Sequence, residues 1–260
     1  MACYPKICLQ TLLVLAWFGL SAAVRYNFKN YTLPPRHHRL LLTSNGLSSV
    51  PIQQAFTKLL KSKNSYKPKV LYIPDAALAE GQSEDSLCSK KQRELSGLGA
   101  STVDCMQIKG KLKHQLQETL PRYDALYLEY GNTFYLRYHM HQSGFDELIA
   151  PLVDSGVVYI GSSASTICAG ITISIAFWKG WDNPGVGAEW DLSVTEEKFT
   201  GLGLVPDLSF FPHFSPKWKT IVDAKVKELD HPVIVLSDAE AYVINGNERK
   251  RIEVPVEDDL

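Results

Sequence analysis

The chain has 260 residues, 45% of them hydrophobic and 10% aromatic, enough to bury the core of one compact domain and too many for large-scale disorder. With 27 basic and 28 acidic residues the net charge is -1, and no basic stripe marks a nucleic-acid partner.

In chain order, the first feature is an apolar run from Ile7 to Leu20, preceded by Lys6 and followed by the small residues Ser21, Ala22 and Ala23. This predicts a secretory signal peptide over residues 1–23, because the apolar part is short for a membrane span of about 20 residues. No later segment is long and apolar enough to cross a bilayer, so secretion without membrane contact after cleavage is expected. Residues 24–38 are polar and contain Pro34 and Pro35, and read as an N-terminal arm. The arm carries the chain's one glycosylation sequon, Asn30-Tyr31-Thr32, so a glycoprotein is expected. Cys3 and Cys8 leave with the signal. Cys88, Cys105 and Cys168 remain, so at least one thiol is unpaired. Cys88–Cys105 is a candidate bridge, and Cys168 reads as a buried small apolar residue. No spacing of Cys and His suggests a metal.

Residues 39–260 read as one domain. Apolar runs at 39–46, 69–77, 101–108, 124–131 and 157–161 alternate with helical patterns at 49–62, 84–97, 111–119 and 133–155. A further apolar run (204–214), a helical pattern (216–229) and a last apolar run (232–246) follow. Strands alternating with helices predict an α/β fold, a mostly parallel sheet with helices on both faces. The long irregular stretch 178–203 is expected to be functional. In such sheets ligands bind beyond the carboxyl ends of the strands. The polar residues expected there are Asn45, Asp75, Glu129, Ser162, Ser163, His213 and Asp238.

A serine nucleophile needs a base, an acid to orient the base, and donors for the oxyanion. The segment "YIGSSAS" offers a strand, a turn and a helix start. Ser163 at that turn would expose its hydroxyl, with the Ala164 N–H at the helix N-terminus. Gly131 at a neighbouring strand end is the expected second donor. Ser162 and Ser163 read equally well as a helix cap. Of the seven histidines, only His213 directly follows an apolar strand. His139 and His141 are two apart on a helix and make a poor metal pair.

The segments "LYLEYGNTFYL", "GVVYIGSSASTICAG", "FWKGWDNP" and "GLGLVPDLSFFPHF", in this order, resemble the peptidase E family of serine peptidases. That family includes aspartyl dipeptidases and is related to the cyanophycinases. The resemblance runs from about Leu40 to about Gly246 and implies a sheet of the class I glutamine amidotransferase type. It implies Ser163 as nucleophile, His213 as base, and Gly131 and Ala164 as the oxyanion hole, with no cofactor. Glu129, Asn132 and Thr133 are expected to contact substrate. The family assigns its relay aspartate at Asp182, while some members place a carboxylate at Asp238. The rigidity of a strand end favours Asp238, and both stay open. Three departures stand out. Ser165 replaces a glycine, Tyr130 replaces the first glycine of the "GGNT" pair, and no arginine follows the histidine. Strict aspartyl specificity is therefore not expected, and Lys217 and Lys219 are candidate substitutes for that arginine. The leading expectation is a secreted serine-type dipeptidase acting on short peptides. The alternatives are a pseudoenzyme or binding protein on the same fold, and a hydrolase of a non-peptide substrate. The oligomeric state is left open.

Overall fold

A computed structural model describes residues 38–61, 67–186 and 199–253. The expected signal peptide, the Asn30 sequon, the arm other than His38, and the acidic C-terminal residues 254–260 lie outside the described residues. The described residues belong to one compact unit, Pro35–Leu260.

Four short apolar runs form the buried strands β1 (Arg39–Thr43), β2 (Lys69–Ile73), β4 (Ala125–Leu128) and β5 (Val158–Ser162). With β3 (Thr102–Cys105) they make a parallel array in the order β3-β2-β4-β5-β1. The sheet continues antiparallel from β1 into a hairpin of β8 (Ala241–Asn245) and β9 (Glu248–Ile252). Successive strand residues point to opposite faces. Leu40, Leu42, Leu71, Leu126 and Leu128 therefore meet the helices α5 (Thr133–Gln142), α6 (Phe145–Asp154) and α7 (Ala164–Ala169). Leu41, Val70, Tyr72, Tyr127 and Ile160 meet α1 (Val50–Lys61) and α3 (Glu84–Gly97) on the other face. Each fully buried Leu or Ile contributes about 1.5–3 kcal/mol. The disulfide Cys88–Cys105 ties α3 to β3, and Cys168 is free and buried.

The expected α/β architecture is present, and four expected elements differ in detail. The run 69–77 is strand only to Ile73. Pro74 has no N–H to continue the ladder, and a short helix α2 (Asp75–Leu78) follows. The pattern 133–155 is two helices, divided at Gly144 with φ 73°. The last two apolar runs do not simply extend the sheet. Ser209–Phe211 (β6) and Val233–Val235 (β7) pair with each other in a separate two-stranded sheet. The run 232–246 breaks at a turn in which Ser237 N donates to Glu240 Oε2 at 2.6 Å, and β8 starts beyond it. Two further helices, α4 (Lys113–Thr119) and α8 (Lys219–Lys225), lie before β4 and between β6 and β7. Because β1, β2, β4 and β5 are parallel, their carboxyl ends share one rim.

Candidate active site

Ser163 joins β5 to α7 with φ 50° and ψ -101°. Among the described residues, the only non-glycine residues with positive φ are Ser163 and His213. Such conformations cost of order 1–3 kcal/mol each and persist where surrounding structure enforces them. Here the enforcement is visible. Ser163 N donates to Thr43 O at 3.0 Å, and a Cβ on Gly161 would stand 3.0 Å from the backbone of Ser165 and Thr166, so the glycine lets the start of α7 pack close on the end of β5. Ser165, the serine in place of a glycine, fits without displacement. Its Oγ accepts from Ser162 N at 2.7 Å and donates to Leu128 O at 2.7 Å, which ties the ends of β4 and β5 together.

His213 follows β6 through Pro212. Its Nε2 lies 2.8 Å from Ser163 Oγ, and its Nδ1 lies 2.5 Å from Asp238 Oδ1. A carboxylate only accepts, so Nδ1 carries the proton and Nε2 offers its lone pair to the serine O–H. Ser44, at the end of β1, organises both partners. Its hydroxyl accepts from His213 N at 2.7 Å and donates to Asp238 Oδ1 at 3.2 Å. Burial holds the imidazole below its ordinary value of 6.5. The bond to Asp238 works against that shift, and the nearby Lys179 ammonium adds to it.

Asp182 does not bond His213. Its Oδ2 accepts from Thr133 N, the first residue of α5, at 2.8 Å. Asn132 caps that helix, accepting from Tyr135 N at 2.9 Å, while its Nδ2 donates to Asn183 O at 2.9 Å. Residues 182–183 therefore clamp residues 132–133. Burial raises the Asp182 carboxyl, opposed by its bonds to Thr133. Gly131, immediately before, has φ 131°, and a Cβ there would stand 2.1 Å from Ala76 O. Leu128 is in register with Gly161, so Gly131 and Ser163 lie just past neighbouring strand ends. Ala164 opens α7, and its N–H has no intrahelical acceptor.

Glu129 is buried. It pairs with Lys91 Nζ at 3.0 Å and accepts from Tyr72 O–H at 2.9 Å. The cluster lines a cavity of about 280 Å³ with Gly46, Glu94 and Tyr130. Tyr130, the other departure from the glycine pattern, bonds its hydroxyl outward to Gln82 at 3.2 Å. Asp75 lies under the rim and accepts from Ile108 N and Lys109 N at 3.0 and 2.8 Å. Burial pushes its carboxyl up to about 6. Glu84, Cys88 and Cys105 stand together, but the two sulfurs are bonded to each other and offer no thiolate ligand. Lys219 pairs with Asp223 on the α8 surface.

Three residues near the site carried little sequence signal. Ser44 belongs to a Ser-Asn-Gly turn and looked like punctuation. Lys179 and Trp181 fell in the irregular stretch, where nothing local shows that they reach His213.

The sequence profile of peptidase family S51 matches residues 40–252. An uncharacterized peptidase of Listeria monocytogenes serovar 1/2a is 28% identical over 212 residues, covering 80% of this chain and 95% of the relative. Peptidase E of Shewanella denitrificans is 24% identical over 177 residues, covering 68% and 66%. A crystal structure of a Listeria monocytogenes EGD-e protein assigned to Peptidase E superposes with a TM-score of 0.65 at 24% identity. It covers 84% of this chain and 98% of that one.

Proposed function

Because the chain belongs to peptidase family S51, we propose that it is a secreted serine-type dipeptidase hydrolysing short peptides through a Ser163-His213-Asp238 relay. The observation that carries this reading is the unbroken contact chain from Ser163 Oγ to His213 Nε2, and from His213 Nδ1 to Asp238. Ser163 Oγ attacks the scissile carbonyl while its proton passes to His213 Nε2. The carbonyl oxygen becomes an oxyanion held by the N–H groups of Gly131 and Ala164. Asp238 keeps the imidazole in the working tautomer and stabilises the imidazolium. The imidazolium then protonates the leaving amine, and water, activated by the same histidine, releases the acyl group. Asp182 acts one step back, holding the N-terminus of α5 and with it the Gly131 turn. Asn132 and Thr133 serve in that same clamp, and Glu129 lines a cavity together with Tyr130, the residue before Gly131.

The hydrogen-bonded Ser165 hydroxyl and the outward Tyr130 both favour an intact elbow over a pseudoenzyme. Secretion is supported by the apolar Ile7–Leu20 segment and by the Cys88–Cys105 bridge, since such bridges persist in oxidising compartments. A fluorophosphonate probe tests the core of the reading. Labelling of the protein that disappears in Ser163→Ala supports a serine hydrolase. A folded protein that never labels is a pseudoenzyme, and one that labels but cleaves no member of a dipeptide library acts on another substrate.

A further inference from the structure

The chemistry proposed above fixes where the leaving group lies. Its nitrogen takes the proton from His213 Nε2, so it sits beside that ring and away from Gly131 and Ala164. The carboxyl carbon of the leaving residue is two bonds beyond the nitrogen, roughly 2.5 Å away. If one amino acid departs, a free carboxylate therefore stands close to His213. If a longer peptide departs, a neutral amide stands there instead.

The surroundings of the imidazole are cationic and aromatic. The Trp181 ring lies 5.8 Å from the His213 ring and 5.6 Å from Trp218. Trp181 is 54% exposed, which is unusual for so large an apolar side chain beside a reacting group. Lys179 Nζ is 4.3 Å from the centre of the Trp181 ring. Lys217 Nζ is 6.0 Å from the same ring and 5.2 Å from Trp218. Lys179 donates to Pro212 O at 2.8 Å. Among the described residues, neither ammonium has a carboxylate within ion-pair distance. Asp182 and Asp238 act on Lys179 only through space, while burial draws it down to about 8, still mostly charged at neutral pH. Two cations sharing one exposed indole, next to the base and without a carboxylate partner of their own, lack an anion.

We propose that Lys179 and Lys217, with Trp181 as their common neighbour, form a subsite for the free carboxylate of the leaving residue. The enzyme thereby selects substrates from which a single amino acid departs. This rests on the serine-peptidase reading and assigns the side chains that would enforce the dipeptide length. Ammonium–carboxylate hydrogen bonds are about twice as strong as neutral ones, so the pair discriminates an acid from an amide of the same size. The faces of Trp181 and Trp218 offer apolar area to the side chain of the departing residue.

The test compares dipeptides X-Phe with their amides X-Phe-NH2, every proteinogenic residue being placed at X. The wild type is expected to favour the acids by about tenfold or more in kcat/KM. Lys217→Met should raise KM for the acids about tenfold and leave the amides within about twofold, while Lys217→Arg keeps the preference. Lys179→Met, which also removes a charge acting on His213 and a bond to Pro212 O, should raise KM for the acids at least about tenfold more than for the amides. Lys217 is exposed, so its variants keep the test valid if Lys179→Met does not fold. The subsite is overturned if the wild type cleaves amides as well as acids, or if Lys217→Met slows both alike. Fluorophosphonate labelling separates the two readings. Labelled protein without acid preference removes only the subsite, whereas absence of labelling removes the serine-peptidase reading and the subsite together.

Discussion

At the scale of single residues, the two aspartates do different work and can be separated. Asp238 holds the Nδ1 proton of His213, and an amide there cannot enforce the working tautomer. Asp238→Asn is expected to lower kcat by about 10⁴-fold, the cost of the same change in a well-studied triad. Asp182→Asn keeps an oxygen that can accept from Thr133 N, so its kcat should fall by only about tenfold. Steady-state rates of the two variants check this, and equal losses would refute the division of roles. The imidazole also sets the pH profile. His213 acts as base only when neutral, and burial lowers its pKa from 6.5. Activity is therefore retained at and above pH 6.5 and lost only as pH falls through the depressed value. A kcat/KM profile with its acid midpoint above 6.5 would contradict the structure. The sequence pointed to Ser163 and His213 by their place after apolar runs and, more specifically, by the resemblance, and the structure brings the two side chains together. Which of Asp182 and Asp238 meets His213 could not be read there. It depends on a turn at Ser237–Glu240 and on Ser44, which is 194 residues from Asp238 in the chain.

At the scale of elements, the donor segment between β4 and α5 is held by three neighbours. Asn132 N donates to Ala76 O in α2, the Asp182 carboxylate receives Thr133 N, and Asn183 O receives Asn132 Nδ2. Gly131 has no room for a side chain, since a Cβ would meet the Ala76 carbonyl. Gly131→Ala must therefore push the segment off α2 and displace its N–H from the oxyanion. Loss of one such donor costs about 10²–10³ in kcat. The expected variant folds, binds substrate and turns over at least about 10²-fold more slowly. Near-normal turnover would remove Gly131 from the oxyanion hole. Element boundaries were legible where local signals agreed. Helix α3 begins after the Ser83 cap and spans Glu84–Gly97, as its spacing predicts. They were illegible where β7 and β8 share one apolar run, because only tertiary pairing assigns each half to its own sheet.

At the scale of the whole molecule, the bridge and the site lie on different parts of the sheet. Cys105 belongs to β3, at the edge opposite the β8–β9 hairpin, whereas Ser44 and Ser163 lie at the ends of β1 and β5. The bridge closes a loop with a sequence separation of 17, worth about 3 kcal/mol of stability. Reduction, or Cys88→Ser with Cys105→Ser, should lower Tm by roughly 6–12 °C. Activity at room temperature should remain. A thermal scan with and without reductant checks the first part, and a parallel assay the second. The alternation of strands and helices made the architecture legible from the start. The antiparallel hairpin was not legible, because nothing in "AYVINGNERKRI" states which strand it will join.

The position of β1 has a consequence for biosynthesis. It is made before every other described strand, yet its partners are late: Leu40 pairs with Tyr159, and Thr43 with Ala241. A nascent chain carries this apolar ribbon with both edges open until β5 emerges, and with one edge open until β8 does. Open apolar edges invite pairing with other chains, so this interval is when a chaperone would be needed most. The same lateness is protective. Ser163 is translated 50 residues before His213, and Ser44 cannot bring His213 and Asp238 together until both have emerged. On the relay proposed above, a nascent chain ending before Asp238 would lack the carboxylate that orients His213, and so would be silent towards peptides.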